Sequence, residues 1–398
     1  MKKAAPKYVL GLGLLFGCLF AVSLPLQAQN TPGVTGNEIL IGSCSALEGP
    51  SHFLGTETVT GAKAYLDFIN DAGGVDGRKL KLVSYDDSYD PAKTEACFNR
   101  LLEQKVFALG FFVGTPTAVK YLPMAESNKI PLVGLFTGAQ TLYEPMRHWV
   151  VNVRASYFDE TREQIDGLWG SLGYKKIGVI YPEDAFGAAV LEGVKAALKA
   201  HGAAPITAAS YQRQTAQVGG AIDTVKAANP DAVVVVGPAN TVAPILKQSH
   251  AKGWKPLFLT VSFVGTDDLI TEAGPDAEGV VITQVVPPYY LTDYKTVALY
   301  RRALSKYYPS AQPNFVSLEG FVDAMVLVEG LKKAGKDLTR EGLIRGIESI
   351  HEMDLGLGPK LKLDYSAKDH KGFDNVIPTV IRGGRAVPFT DWSTAAPK

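Results

Sequence analysis

The chain has 398 residues, 46% of them hydrophobic and 20% charged, with 40 basic side chains against 40 acidic. Such a chain has material for a sizeable core and for about two domains. The even balance excludes a disordered acidic tail and an electrostatic nucleic-acid binder, which needs a basic surplus.

Lys2, Lys3 and Lys7 precede an apolar run from Tyr8 to Leu24, and the small Ala28 follows in "PLQAQN". A basic start, an apolar middle and a small residue before the cut read as a secretory signal peptide over residues 1–28. An uncleaved anchor is the competing reading of so long a run. Leu15–Cys18 faintly resembles a lipoprotein cleavage box, but the bulky Phe16 and the apolar stretch after Cys18 favour cleavage after Ala28. The remainder would carry a net charge of −3 and only two cysteines, Cys44 and Cys97. In an oxidising compartment two thiols can pair; two small buried hydrophobes are the alternative. Neither has a Cys or His at zinc-ligand spacing.

From Glu38 the pattern alternates strand and helix. "EILIGSCSAL" is a strand, "TVTGAKAYLDFINDA" an amphipathic helix stopped by Gly73-Gly74, and "KLKLVSY" a second strand. "PAKTEACFNRLLEQ" follows as a helix with Asp90 as N-cap and Pro91 in its first turn. Then come "VFALGFFVG", "PTAVKYLPMAES", "IPLVGLF" and "HWVVNVR" as strand, helix, strand and strand. After Arg154 the rhythm restarts through "DETREQIDGLWGSLG", "KIGVIY", "DAFGAAVLEGVKAALKAHG", "PITAASY", "VGGAIDTVKAANP", "DAVVVVG", "NTVAPILKQSHAKG", "PLFLTVS" and "GVVITQVV". Three helices are expected near Tyr294–Tyr307, Phe315–Ala334 and Thr339–Ser349, before strand-like pieces in the tail.

Two successive βαβ series predict an α/β fold of two doubly wound parallel-sheet lobes. Lobe one is expected to hold residues 37–155 and 288–353, and lobe two residues 156–287 and 354–398. The crossovers then lie near Arg154, Val286 and Leu355.

The burst "YDDSYDP" raises the question of metal ligation by Asp86, Asp87 and Asp90. An EF-hand needs alternating acids, a central glycine and a distal Glu, and these are missing. The acids are therefore expected to shape the chain where a parallel strand ends. No dinucleotide fingerprint, Walker loop, HExxH or GxSxG elbow occurs, so neither an enzyme nor a cofactor or metal site is expected. Ligands of open α/β sheets lie at the carboxyl ends of strands. There the chain places "LEGPSHFLG", "VGTPT", "FTGAQT", "VRASYFDE", "YPEDAFG", "VGPAN" and "TVSFVG". Thr115, Thr117 and Thr137 supply hydroxyls near helix N-termini. Phe53, Phe136, Tyr157 and Phe263 supply flat apolar walls. Pro238 and Asn240 stand at the equivalent strand end of the second lobe. This is the chemistry of a small-molecule pocket. The competing reading is that the threonines cap helices and the aromatics fill the core.

"GVTGNEILIGSCSALEGPSHFLG", "INDAGGVDGRKLKLVSYDDSYDP", "VGTPTAVKYLPMAESNKIPLV" and "VIYPEDAFGAAVLEGVKAALKAHG" resemble the type I periplasmic solute-binding proteins of the leucine/isoleucine/valine-binding class, and the late "GPKLKLDYSAKDHKGFDNVIPTVIRGG" agrees. The resemblance implies two Rossmann-like lobes joined by three hinge crossovers, a cleft that closes on a small amino acid or related carboxylate, and delivery to ABC permease membrane subunits from the periplasm. It also implies a monomer without cofactor. The loops that hold the ligand carboxylate in the amino-acid binders match Gly114, Thr115, Pro116 and Thr117, and then Thr137, Gly138 and Ala139. A tyrosine past the first hinge matches Tyr157, and Phe53 and Leu54 stand near the first loop's usual aromatic. The second-lobe acid that would pair with an ammonium falls near Ser262. Either Glu48, Asp184 or Asp267 substitutes for it, or the ligand is an aromatic or other small acid without an ammonium. A periplasmic sensor on the same fold is a further alternative. On the expected strand order 2-1-3, the helix bearing Cys97 crosses the strand bearing Cys44, so the two can form a disulfide.

Overall fold

The computed structural model describes residues 1–6, 31–336 and 338–395; the expected signal peptide and its cleavage site lie largely outside the described residues. Strands β1 (Glu38–Ser45), β2 (Lys79–Asp86), β3 (Ala108–Gly110), β4 (Leu132–Val133) and β5 (Val150–Val151) form a parallel sheet in the order β2-β1-β3-β4-β5. Helices α1 (His52–Asp71), α2 (Pro91–Glu103) and α3 (Thr115–Ser127) make the crossovers. The apolar runs at 106–114 and 130–136 pair over only two or three residues. Phe111 (φ +64°) and Gly134 (φ +66°) turn the chain out of the ladder. Apolar residues continue past those turns because both sides are buried there, not because the strand extends. Helix α2 crosses β1, and Cys44 and Cys97 are disulfide-bonded with their Cα atoms 6.0 Å apart.

The second lobe repeats the scheme with α4 (Tyr157–Gly167), β6 (Ile177–Pro182), α5 (Ala185–Ala200), β7 (Thr207–Tyr211), α6 (Gly219–Ala227), β8 (Ala232–Val235), α7 (Ala239–Ala251), β9 (Leu257–Val261), α8 (Thr266–Ala273) and β10 (Val281–Gln284). Ser156 and Asp159 close a capping box at the start of α4, satisfying amides that the helix cannot pair itself. Helix α8 was not expected, although Asp267 and Asp268 in its first turn suit a helix N-terminus.

Helices α9 (Lys295–Tyr307), α10 (Phe315–Ala334) and α11 (Arg340–Glu348) return to the first lobe. Helices α1 and α10 meet backbone to backbone: a Cβ on Gly61 would lie 1.8 Å from Ser317 O, and one on Gly320 would lie 2.1 Å from Thr58 O. A short hairpin of β11 (Met353–Asp354) and β12 (Lys362–Leu363) follows. Then β13 (Ile377–Arg382) and β14 (Arg385–Pro388) add antiparallel strands to the second sheet, whose order is β14-β13-β10-β9-β8-β6-β7.

Residues 355–373, expected in lobe two, pack on lobe one. Leu357, Leu361, Leu363, Tyr365 and Phe373 join the core that contains Phe321 and Leu343. The third crossing therefore lies between Phe373 and Ile377, not near Leu355. It runs beside the first crossing, with Gly372 N donating to Asn152 O and Phe373 N to Val153 O, both at 2.9 Å. Among the described residues no helix is long and apolar enough to cross a membrane.

Candidate functional site

The N-terminus of α3 opens between the lobes. Gly114 precedes it at φ +98°, and no side chain caps the helix. Pro116 has no amide proton, which leaves Thr115 and Thr117 to present the first N–H groups. Thr115 Oγ1 lies 2.7 Å from Thr137 Oγ1, and the Tyr157 hydroxyl donates to Thr137 Oγ1 at 3.3 Å. All three side chains are buried, and burial pushes the Tyr157 phenol up to about 12, so it stays a donor. Gly138 makes the room: a Cβ there would meet Tyr157 Cδ1 at 2.9 Å. Ala139 is buried beside them. Thr117 behaves differently from its expected role, because its hydroxyl turns back to Gly114 O at 2.8 Å and is spent on the helix start.

Aromatic rings close the space above these hydroxyls. Phe263 of the second lobe lies 4.5 Å from Phe186, 5.5 Å from Phe136 and 5.9 Å from Tyr89, centroid to centroid. Tyr157 and Phe186 are 5.3 Å apart. Phe53 and Leu54 face Gly265 across the lobes, where a Cβ would meet them at 3.5 and 2.8 Å.

Tyr89 and Phe186 were missed in the sequence. The acidic turn explains Tyr89. Asp86 Oδ1 accepts from Leu47 N, Glu48 N and Ser88 N, each at 2.9 Å. Asp87 Oδ1 accepts from Tyr89 N at 2.9 Å and Oδ2 from the Thr94 hydroxyl at 2.7 Å. Asp90 caps α2. The three acids thus serve the chain itself and steer Tyr89 into the cleft. Glu48 is exposed at the rim of this turn, outside the ring cluster.

Asp184 caps α5 through Gly187 N at 2.9 Å and accepts from Arg213 Nε at 3.1 Å. Arg213 in turn donates to Tyr89 O at 2.8 Å and sits 4.6 Å from the centre of its ring, so it bridges the lobes. A cavity of about 10 Å³ lies among Tyr89, Asp184, Phe186, Arg213, Pro238 and Thr241. Pro238 opens α7, its carbonyl taken by Thr241, while the half-buried Asn240 keeps its Oδ1 without a partner among the described residues. Asp267 is engaged by Tyr289 OH at 2.7 Å and Phe315 N at 3.2 Å.

Behind Ser262 stands a carboxylate that the sequence did not reveal as part of the site. Glu160 Oε1 accepts from Arg154 Nη2 and Ser262 Oγ, both at 2.9 Å; its Oε2 accepts from Ser262 N at 2.7 Å and Thr283 Oγ1 at 3.0 Å. Arg154 also donates to Ser262 Oγ and, from Nη1, to Glu319 Oε1 at 3.1 Å. The guanidinium faces the rings of Phe136 and Tyr157 at 5.3 and 5.6 Å. The quoted strand end "VRASYFDE" contained Arg154 and Glu160, but only the fold shows that their side chains meet. Among the described residues no group of three or more His, Cys, Asp or Glu is arranged to hold a metal ion.

A sequence profile described as "Periplasmic binding protein" matches residues 38–385. The chain is 25% identical over 278 residues to a Leu/Ile/Val/Thr-binding protein of Salmonella typhimurium, covering 69% of this chain and 73% of that one. It resembles the crystal structure of a possible leucine/isoleucine/valine-binding protein from Rhodopirellula baltica, at 31% identity and a TM-score of 0.86, over 93% of this chain and 100% of that one. A branched-chain amino acid ABC transporter structure from Thermus thermophilus with bound valine shares the fold, with a TM-score of 0.80 at 21% identity, over 89% of this chain and 96% of that one.

Proposed function

The chain belongs to the periplasmic binding protein family, and on that footing we propose that it is the periplasmic solute-capturing component of an ABC-type importer whose ligand is a small carboxylate held in the interlobe cleft. The observation that carries this reading is the Thr115–Thr137 hydroxyl pair at the uncapped start of α3, walled by rings from both lobes. Each charge-assisted bond to a carboxylate there is worth roughly 1.5–3 kcal/mol. The rings take the ligand's apolar body. Ligand contacts made to both lobes at once favour the closed arrangement over an open one. Thr115, Thr137, Gly138 and Tyr157 hold the anion in this account, and Phe136, Phe186 and Phe263 form the walls. The names of the relatives favour an amino acid.

A second reading is that the ligand lacks an ammonium. Two carboxylates beside the rings are occupied: Glu160 accepts four hydrogen bonds, one of them from Arg154, and Asp184 serves Arg213 and the cap of α5. A buried ammonium without a counter-charge is costly. A thermal-shift panel of L-leucine, L-valine, L-phenylalanine, 4-methylpentanoate and phenylacetate tests both readings, because binding to the folded state alone raises Tm. Calorimetry on each amino acid and its des-amino analogue then separates them. A loss of more than about 3 kcal/mol on removing the amino group would mean that a carboxylate is available after all. No shift with any of the acids would overturn the carboxylate site.

A further inference from the structure

The acidic turn holds two successive residues in the left-handed region, Ser88 at φ +49° and Tyr89 at φ +57°. Residues with a Cβ occupy that region at a cost, and such backbone persists where the surroundings over-determine it. Here Asp86 fixes Ser88 through its N–H and hydroxyl, and Asp87 fixes Tyr89 through its N–H. The strained turn delivers a residue that is only 2% exposed and whose hydroxyl proton finds no acceptor among the described residues, the Arg213 guanidinium beside the oxygen being a donor only. An unpaired buried hydroxyl is unfavourable in its own right.

Its location gives that hydroxyl a use. A Cβ on Gly114 would lie 1.9 Å from Tyr89 Cε2 and 2.9 Å from Cζ, the carbon that bears the hydroxyl. The Cδ2–Cε2 edge of Tyr89, with the hydroxyl-bearing Cζ next to it, therefore lies against the residue that precedes α3. The second lobe meets the same ring through Phe263 and Arg213. Burial pushes the phenol well above its ordinary range, so toward a carboxylate it acts as a donor.

We propose that Tyr89 is a ligand-contacting residue whose hydroxyl donates to the carboxylate received at the start of α3. This rests on the reading of the cleft as a carboxylate site. Tyr89 then completes a set of donors with Thr115 and Thr137. Because Phe263 and Arg213 hold its ring and its carbonyl, the donor is fully positioned only when both lobes are in contact.

The test is Tyr89→Phe, with Thr115→Val measured alongside. The probe is whichever of L-leucine, L-valine, L-phenylalanine, 4-methylpentanoate or phenylacetate raises the wild-type Tm most. Removing the hydroxyl should leave the Tm without added acid unchanged or higher, since it deletes an unpaired polar group. Its Kd for the probe should rise about ten- to a hundredfold. A structural role would give the opposite pattern, a lower Tm with the Kd within twofold of wild type, and would overturn the proposal. If Thr115→Val weakens binding while Tyr89→Phe does not, the cleft reading stands and the role of Tyr89 falls. If neither substitution changes the Kd, or no acid raises the Tm, the carboxylate reading falls and this proposal with it.

Discussion

Glu319 Oε1 lies 3.1 Å from Arg154 Nη1 with both side chains buried, and Glu160 shares the same guanidinium from the other lobe. One cation thus serves two carboxylates, with Asp323 on the same helix as Glu319 and equally buried. Burial outweighs the attraction of Arg154 at Glu319 and pushes its carboxyl from 4.5 up to about 7; Asp323 is raised as well, by burial first and by Glu319 next.

The consequence for stability has a definite sign. The folded state holds the Glu319 proton more tightly than the unfolded chain does. Its contribution is complete below about pH 4.5 and is lost as pH rises through about 7. Glu319→Gln should therefore flatten the fall in urea-unfolding stability between pH 5 and 8, and Arg154 keeps a partner in Glu160. A slope identical to wild type would count against it.

Gly114→Ala should destabilise the protein by about 2–4 kcal/mol, combining a left-handed backbone with overpacking. Gly114 sits at φ +98°, and the new Cβ would meet Tyr89 Cε2 at 1.9 Å. Gly36→Ala is the control, since among the described residues a Cβ there would meet nothing within 4 Å beyond its chain neighbours, and φ is not positive. Urea midpoints of the two variants compare them directly; equal midpoints would show that the ring yields freely.

Reduction of the Cys44–Cys97 bond should lower stability by up to about 4 kcal/mol on the chain-entropy account, given a sequence separation of 53. Urea unfolding with and without reductant measures it, and alkylation confirms the thiols released. Coincident curves would mean that the bond constrains nothing in the unfolded chain.

Arg213→Met should act mainly on ligand release. The side chain ties Asp184 in the second lobe to Tyr89 O in the first, and it is partly exposed, so its loss is worth only about 1 kcal/mol. Stopped-flow with the acid that raises Tm should show dissociation faster by several-fold and association little changed. A slower association with unchanged release would place Arg213 in ligand encounter instead.

The order of strands and helices was legible because parallel strands buried on both faces give apolar runs, and because Asp90, Pro91 and Gly74 mark helix ends. Thr115, Thr137, Tyr157 and Phe263 could be placed because a strand's carboxyl end is a position in the sequence. Tyr89 and Arg154 could not be assigned, although Tyr89 stood in the acidic turn "YDDSYDP" and Arg154 in the strand end "VRASYFDE". Their roles depend on where a side chain goes after the backbone turns, and on partners 124 and 165 residues away. The third crossing was misplaced for a related reason. Leu361, Leu363 and Tyr365 alternate like a sheet strand, and only the core beneath α10 and α11 reveals which lobe takes them.

The meeting of α1 and α10 through Gly61 and Gly320 also limits how this chain can be recombined with a relative. Each helix leaves room for the other's main chain and for nothing larger, since the added Cβ atoms would lie 1.8 and 2.1 Å from carbonyl oxygens. A chimaera that imports one helix with a side chain at either glycine would force the pair apart and lift α10, which carries Glu319, from its place. The two segments therefore behave as one inherited unit despite their separation along the chain. Exchanges between relatives therefore have to carry both helices together or keep both glycines.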